Sequence, residues 1–204
     1  MTQLTRIDGS MIADSDTLTL VELVEQNKAY LSEANLSGEN LSVANLSEAY
    51  LHNADLSRAN LSGANIYMAN LFRANLCEAD LYKANLCWAD LSGADLSVAN
   101  LSGTDLSGVD LSGTVLYVTD LSGADLSMAY LSKAKGIVQF GPVPTSGRIG
   151  YCVDHGDKIM VKLGCWWGEF DETIQRIAEK HPGEKGDAYA DMVKAAARSL
   201  EVAR

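Results

Sequence analysis

From Leu31 to Leu131 a large aliphatic residue recurs at every fifth position without an insertion, twenty-one units in all, with Ile66 the one substitute for leucine. Residues 89–113, ADLSGADLSVANLSGTDLSGVDLSG, show the rule plainly. A period of five matches neither the 3.6 of a helix nor the 2 of a strand, so this segment is no ordinary amphipathic element. Two residues before each leucine stands alanine, broken only at Glu39, Thr104, Val109, Thr114 and Thr119; between them comes mostly Asn or Asp, and after the leucine mostly Ser. A unit this short buries nothing alone and must stack on copies of itself, which is the logic of a solenoid.

The strict A(N/D)LSx period resembles the pentapeptide-repeat family over roughly residues 29–135. The resemblance implies a mainly β fold: a right-handed quadrilateral β-helix in which four units make one square coil of about 20 residues. Leucine and alanine point inward, and the other three positions point out. The in-out-in alternation across Ala-Asx-Leu is the signature of a very short strand. Alanine at every second inward site keeps a narrow coil from being overfilled. Glu39, the one charged residue at an inward site, is expected at a frayed end or bent outward. At a strand spacing of about 4.8 Å, some five coils make a rod roughly 25 Å long.

Solenoid ends expose apolar cross-section and unpaired backbone and need caps. The segment 1–28 predicts an N-terminal cap with a short helix, Asp16 as its N-cap and Leu20, Leu23 and Val24 on its buried face. The segment 136–204 predicts a small α+β C-terminal domain. GIVQFGPVPTSG reads as a linker with strand-like ends, and RIGYCVDHGDKIMVKLGCWW as a hairpin turning at His155-Gly156-Asp157. A helix capped by Asp171 runs to about His181, and a second runs from about Asp187 to Val202 with Tyr189, Val193, Ala196 and Leu200 on one stripe. This ββαα tail is similar to C-terminal segments of phage and prophage members of the family, a resemblance that identifies no activity.

Nothing in the residues supports catalysis, and no enzyme activity, metal or cofactor is expected. His52 reads as a solvated corner residue, His155 as a turn residue and His181 as a helix C-terminal residue favoured by the dipole. Cys152, His155, Cys165 and His181 do not follow a familiar zinc spacing. Cys77 and Cys87, half a coil apart, lie too far apart for a disulfide. Unpaired cysteines and the lack of a leader or an 18-residue apolar run point to a cytoplasmic protein without membrane contact. The net charge of −11 disfavours direct nucleic-acid binding.

Two outward features are candidate partner-binding surfaces. One is an apolar girdle near mid-rod, Tyr67, Met68, Phe72, Tyr82 and Trp88, accompanied by Cys77 and Cys87. Its alternative is residues that only widen the coil. The other is acidic: Glu78, Asp80, Asp90, Asp95, Asp105, Asp110, Asp120 and Asp125 stand against a single Lys83 over residues 76–130. That is about one net charge per 1.9 Å of rod, close to the roughly 1.7 Å of duplex DNA. Its alternative is repeat grammar alone, since the family accepts Asn or Asp there. The resemblance implies a non-enzymatic DNA mimic that inhibits a DNA-binding protein. A type II topoisomerase such as DNA gyrase and, given the phage-like tail, a CRISPR effector blocked by an anti-CRISPR are the two expected kinds of target. A homodimer would extend the short rod. The alternative function is a scaffold in which the rod is a spacer and the tail makes the contact.

Overall fold

A computed structural model describes residues 1–140, 150–154, 158–163 and 166–203. The five-residue period becomes a stack of coils. Parallel bridges join residues 20 apart, from Asn35–Asp55 through Val115–Lys135, so four units close one coil. Leucines 31 through 126 and Ile66 are sealed from solvent, and alanines fill the second inward site. Each fully buried leucine contributes on the order of 2 kcal/mol relative to exposure, which is what makes the stack self-supporting.

The unit at residues 89–93 shows where every backbone N–H goes. Ala89 N–H donates within a turn to Leu86 C=O (3.0 Å), Asp90 N–H to Ala69 C=O in the preceding coil (3.0 Å), and Leu91 N–H to Asp110 C=O in the next (2.8 Å). Gly93 N–H also donates forward, to Ser112 C=O (2.8 Å). Ser92 N–H alone is left over by the stacking, and the Asp90 carboxylate accepts it at 2.9 Å. The Asx position is therefore structural: it supplies the one acceptor the coil lacks. Where Thr replaces inward Ala, the buried hydroxyl also finds a carbonyl: Thr114 donates to Leu111 C=O (2.7 Å) and Thr119 to Leu96 C=O (2.8 Å).

The second turn residue of each unit has a left-handed backbone, with φ of 54–63° even where it is not glycine. Val98 (φ 63°) and Trp88 (φ 58°) are strained there, because a branched or bulky side chain crowds the following carbonyl.

The N-terminal segment supplies acceptors that the first coil would otherwise lack. Strands β1 (Thr2–Thr5) and β2 (Met11–Ser15) form an antiparallel hairpin that buries Leu4 in the rod core. Thr5 C=O accepts from Asn35 N–H (2.8 Å), Lys28 C=O from Tyr50 N–H (2.9 Å) and the Glu25 carboxylate from Asn45 N–H (2.6 Å). Helix α1 (Leu20–Gln26) buries Leu23 and Val24 as expected, with Leu20 half-buried against the same core. Its N-cap is Thr19, in a capping box with Glu22, not Asp16; the helix starts later because Thr19-x-x-Glu22 satisfies two N–H groups reciprocally. The hairpin was not legible, since its strands are short and only Leu4 is fully buried. Glu39 points out and is exposed.

Among its described residues the tail holds four strands rather than the two of a single hairpin. An antiparallel sheet runs β3 (Ile137–Phe140), β4 (Gly150–Asp154), β5 (Ile159–Leu163) and β6 (Trp166–Glu169) in that order. The expected hairpin is β4–β5, closing at Asp154–Ile159; its turn at His155-Gly156-Asp157, residues 141–147 of the linker, and Cys165 lie outside the described residues. Helix α2 (Phe170–Lys180) begins with Glu169 as its N-cap residue, without a side-chain cap, so Asp171 lies in the first turn and does not cap. Helix α3 (Glu184–Ala203) starts three residues before Asp187 and buries Tyr189, Val193, Ala196 and Leu200.

The sheet packs on the last coil. Tyr151 and Val153 join the rod core. Asp154 C=O accepts from Val118 N–H (2.9 Å), and the Tyr151 hydroxyl donates to Leu126 C=O (3.3 Å). Buried Lys162 donates to Ala124 C=O, the carbonyl a further coil would have used, and sits 5.3 Å from the Trp167 ring. A second cluster, centred on Cys152, Val161, Ile177 and Val193, lies between sheet and helices. Among the described residues no helix is long and apolar enough to cross a membrane.

Candidate functional site

The eight acidic residues fall into two kinds. Glu78 is a corner residue held in a two-point ion pair by Arg58 of the preceding coil (3.0 and 3.2 Å), and this guanidinium keeps its carboxyl below the usual range. The seven aspartates occupy the Asx position, and each accepts the N–H two residues on: Asp80 from Tyr82, Asp90 from Ser92, Asp95 from Ser97 and Asp105 from Ser107. Asp110, Asp120 and Asp125 do the same with Ser112, Ser122 and Ser127. The Ser127 N–H, with a smaller contribution from Lys162, holds the Asp125 carboxyl below its ordinary value. Each of these turn bonds engages a carboxylate oxygen.

Asparagine does the same work. Asn60 accepts from Ser62 N–H at 3.0 Å and Asn100 from Ser102 N–H at 3.0 Å. It adds a rung where it follows aspartate: Asn75 Nδ2 donates to Asp55 (3.1 Å) and Asn100 Nδ2 to Asp80 (2.8 Å). Yet the composition changes along the rod. Between 35 and 75 the Asx sites are Asn except for Asp55, with Tyr50 breaking the pattern; between 80 and 125 they are Asp except for Asn85 and Asn100, with Val115 breaking it. Asp90 sits directly below Asp110, and Asp105 below Asp125, at bridged positions one coil apart.

The girdle residues encircle the rod and form no single patch. Phe72 and Tyr82 lie on different corners, each with a cation against its ring: Arg73 at 4.9 Å and Lys83 at 4.9 Å. Tyr67, Met68 and Trp88 share a third corner with Cys87, whose sulfur accepts from Ser107 Oγ at 3.2 Å. The sequence reading missed Gly108, which lies beneath the Trp88 ring, and Met128, at the same corner position one coil beyond Gly108. A spacing of 20 connects all three and was available in the sequence.

In the tail, a cavity of about 510 Å³ opens between β5, α2 and α3, lined by Lys158, Lys194 and Arg198 against Glu169, Asp171 and Glu201. Lys158 and Glu169 pair across it at 2.5 Å. Cys152 is buried, and burial pushes its thiol up to about 12. No metal-holding cluster of His, Cys, Asp or Glu occurs among the described residues.

The family described as Pentapeptide repeats matches in eight copies, over residues 27–65, 69–108 and 99–135. Among solved structures, the chain is similar to a pentapeptide repeat protein from Nostoc Pcc 7120, at 43% identity over 40% of this chain and 67% of that one, with a TM-score of 0.39. It is similar to a pentapeptide repeat protein of the Arabidopsis thaliana thylakoid lumen, at 26% identity over 56% and 83% of the two chains (TM-score 0.32). It also resembles QnrB1, a plasmid-mediated fluoroquinolone resistance protein, at 20% identity over 50% and 62% (TM-score 0.42). No curated protein matches.

Proposed function

The chain belongs to the pentapeptide-repeat family, and from that premise we propose that it is a non-enzymatic binding protein whose rod offers carboxylates, spaced like phosphates, to the nucleic-acid groove of a DNA-binding protein. The observation that supports this reading is the switch from Asn to Asp at one structural position. Both residues close the same turn, so the coil does not require the charge. Stacking Asp90 under Asp110 and Asp105 under Asp125 even places like charges about one strand spacing apart, which opposes stability. An acidity that the fold neither needs nor favours is best understood as serving a partner. Arg and Lys side chains that hold DNA phosphates would bind the outward carboxylates of Asp90, Asp95, Asp105 and Asp110, and DNA would compete. Type II topoisomerases and CRISPR effectors are the target classes that suit this reading.

Capture of partners from a bacterial lysate, with elution by added duplex DNA, tests it directly. DNA should release the partner, and the Asp90→Asn, Asp95→Asn, Asp105→Asn, Asp110→Asn quadruple variant should capture none. Capture unchanged by that variant sinks the proposal. A second reading, a scaffold whose tail makes the contact, draws on the cavity beside Lys158 and Arg198. Competition separates the two: duplex DNA should elute a partner held by the aspartates and leave in place a partner held at the tail cavity.

A further inference from the structure

One corner of the rod differs from the other three. Its second turn position reads, coil by coil, Glu48, Met68, Trp88, Gly108, Met128. Met68, Trp88 and Met128 are all exposed, at 51%, 48% and 68%. Trp88 is nonetheless held in place. Its backbone is fixed in the left-handed region, and its indole lies over Gly108, the one corner glycine of the rod that is buried. A large aromatic surface that is exposed but already ordered loses little freedom on binding, which is the character of an interface anchor.

The two faces that meet at this corner carry the stacked aspartate pairs, Asp90 with Asp110 on one and Asp105 with Asp125 on the other. From Tyr67 upward neither face nor the corner between them contains Lys or Arg. The rod's cations stand elsewhere: Lys83 and Arg73 on the flanking corners against their own aromatic rings, Arg58 on the opposite corner with Glu78, Lys133 on the corner of Arg73 and Lys135 on the face of Asp95 and Val115. At the top, Lys162 of the tail approaches Asp125.

We propose that this corner is the edge by which the rod enters its partner. Trp88 with Met68 forms an apolar crest, and Asp90, Asp105 and Asp110 form its two anionic flanks. The occupant it fits is a cationic protein cleft with an apolar floor: guanidinium or ammonium groups on both walls meet the flanks, and the floor takes the indole. The inference rests on the polyanion reading above and adds which side of the rod acts.

Two charge-matched variants test it, with an oligo-arginine peptide as the probe. The edge variant carries Asp90→Asn, Asp105→Asn and Asp110→Asn; the opposite-side variant carries Asp80→Asn, Asp95→Asn and Asp120→Asn. Both lose three charges and keep the Asx acceptor. The readout is peptide affinity together with the NMR signal of the Trp88 indole N–H, assigned with Trp88→Phe. The expected result is a peptide-induced shift of that signal, about tenfold weaker binding by the edge variant, and a change of no more than about twofold in the opposite-side variant. Equal weakening of both, or binding that leaves the Trp88 signal unmoved, overturns the edge while leaving the polyanion reading intact. No binding by the unaltered protein at low salt overturns both.

Discussion

The indole of Trp88 lies against Gly108 one coil later, so closely that a Cβ there would come within 2.7 Å of ring atoms. Gly108→Ala therefore meets two obstacles: the ring, and a backbone at φ 66° that disfavours any side chain. The expected loss is about 2 kcal/mol in urea unfolding, falling to about 1 kcal/mol in a Trp88→Ala background that removes the ring. An equal loss in both backgrounds would show that the ring contact contributes nothing.

The two roles of Asp110, turn acceptor and charge, separate on substitution. Asp110→Asn keeps the acceptor for Ser112 N–H, now 2.8 Å away, and removes repulsion from Asp90; unfolding should shift to slightly higher denaturant. Asp110→Ala removes the acceptor and should cost about 1 kcal/mol. Similar midpoints for the Ala and Asn variants would contradict the structural account of the Asx position.

Val98 is exposed at φ 63°, a conformation that suits glycine. Val98→Gly should raise stability by about 0.5–1 kcal/mol, the relieved strain exceeding the added chain entropy of glycine. Val109, inward and fully buried, is the counter-case: Val109→Gly should lower the melting temperature sharply.

Why were some of these features legible in the sequence and others not? The inward positions followed from one alternation, and Leu91 or Ala94 could hardly face anywhere else. The Asx role was hidden because its reason lies in an accounting of N–H groups that only the closed coil reveals; Asp90 read simply as an outward charge. The left-handed turn explains why glycine recurs after serine, yet Trp88 and Val98 break that habit and blur the signal. Thr19 displaced Asp16 as the helix cap because Glu22 completes the box. The tail's outer strands were legible only in part: β3 reads as a strand-like end of the linker and the start of β6 as the end of the hairpin, because four residues each are too few to mark a separate strand.

Lys162 should hold the tail to the rod in a pH-dependent way. The Ser127 N–H and, to a smaller extent, Lys162 hold the Asp125 carboxyl below its ordinary value of 3.8, so both favourable interactions are complete above that value and lost as pH falls through the lower folded value. Fluorescence of Trp166 and Trp167 should therefore stay constant on acidification to pH 3.8 and change below it, and Asp125→Asn should remove that component. A transition of the same size in the variant would assign it to other carboxylates.

Cys152 should resist alkylation in the folded protein, being fully buried with its thiol pushed up to about 12. Cys77 and Cys87 are partly exposed and should react first with iodoacetamide, as read by mass spectrometry. Early modification of Cys152 would mean that the sheet opens readily from the helices.

A lap that closes after 20 residues ties reach to heading. Excising one unit would swing everything beyond the cut through a quarter of a revolution, so the tail would face a new compass point relative to the tryptophan crest. Removing four would shorten the spindle and leave that bearing unchanged. Any partner gripping crest and tail together would thus sense the number of units as an angle before it sensed it as a length.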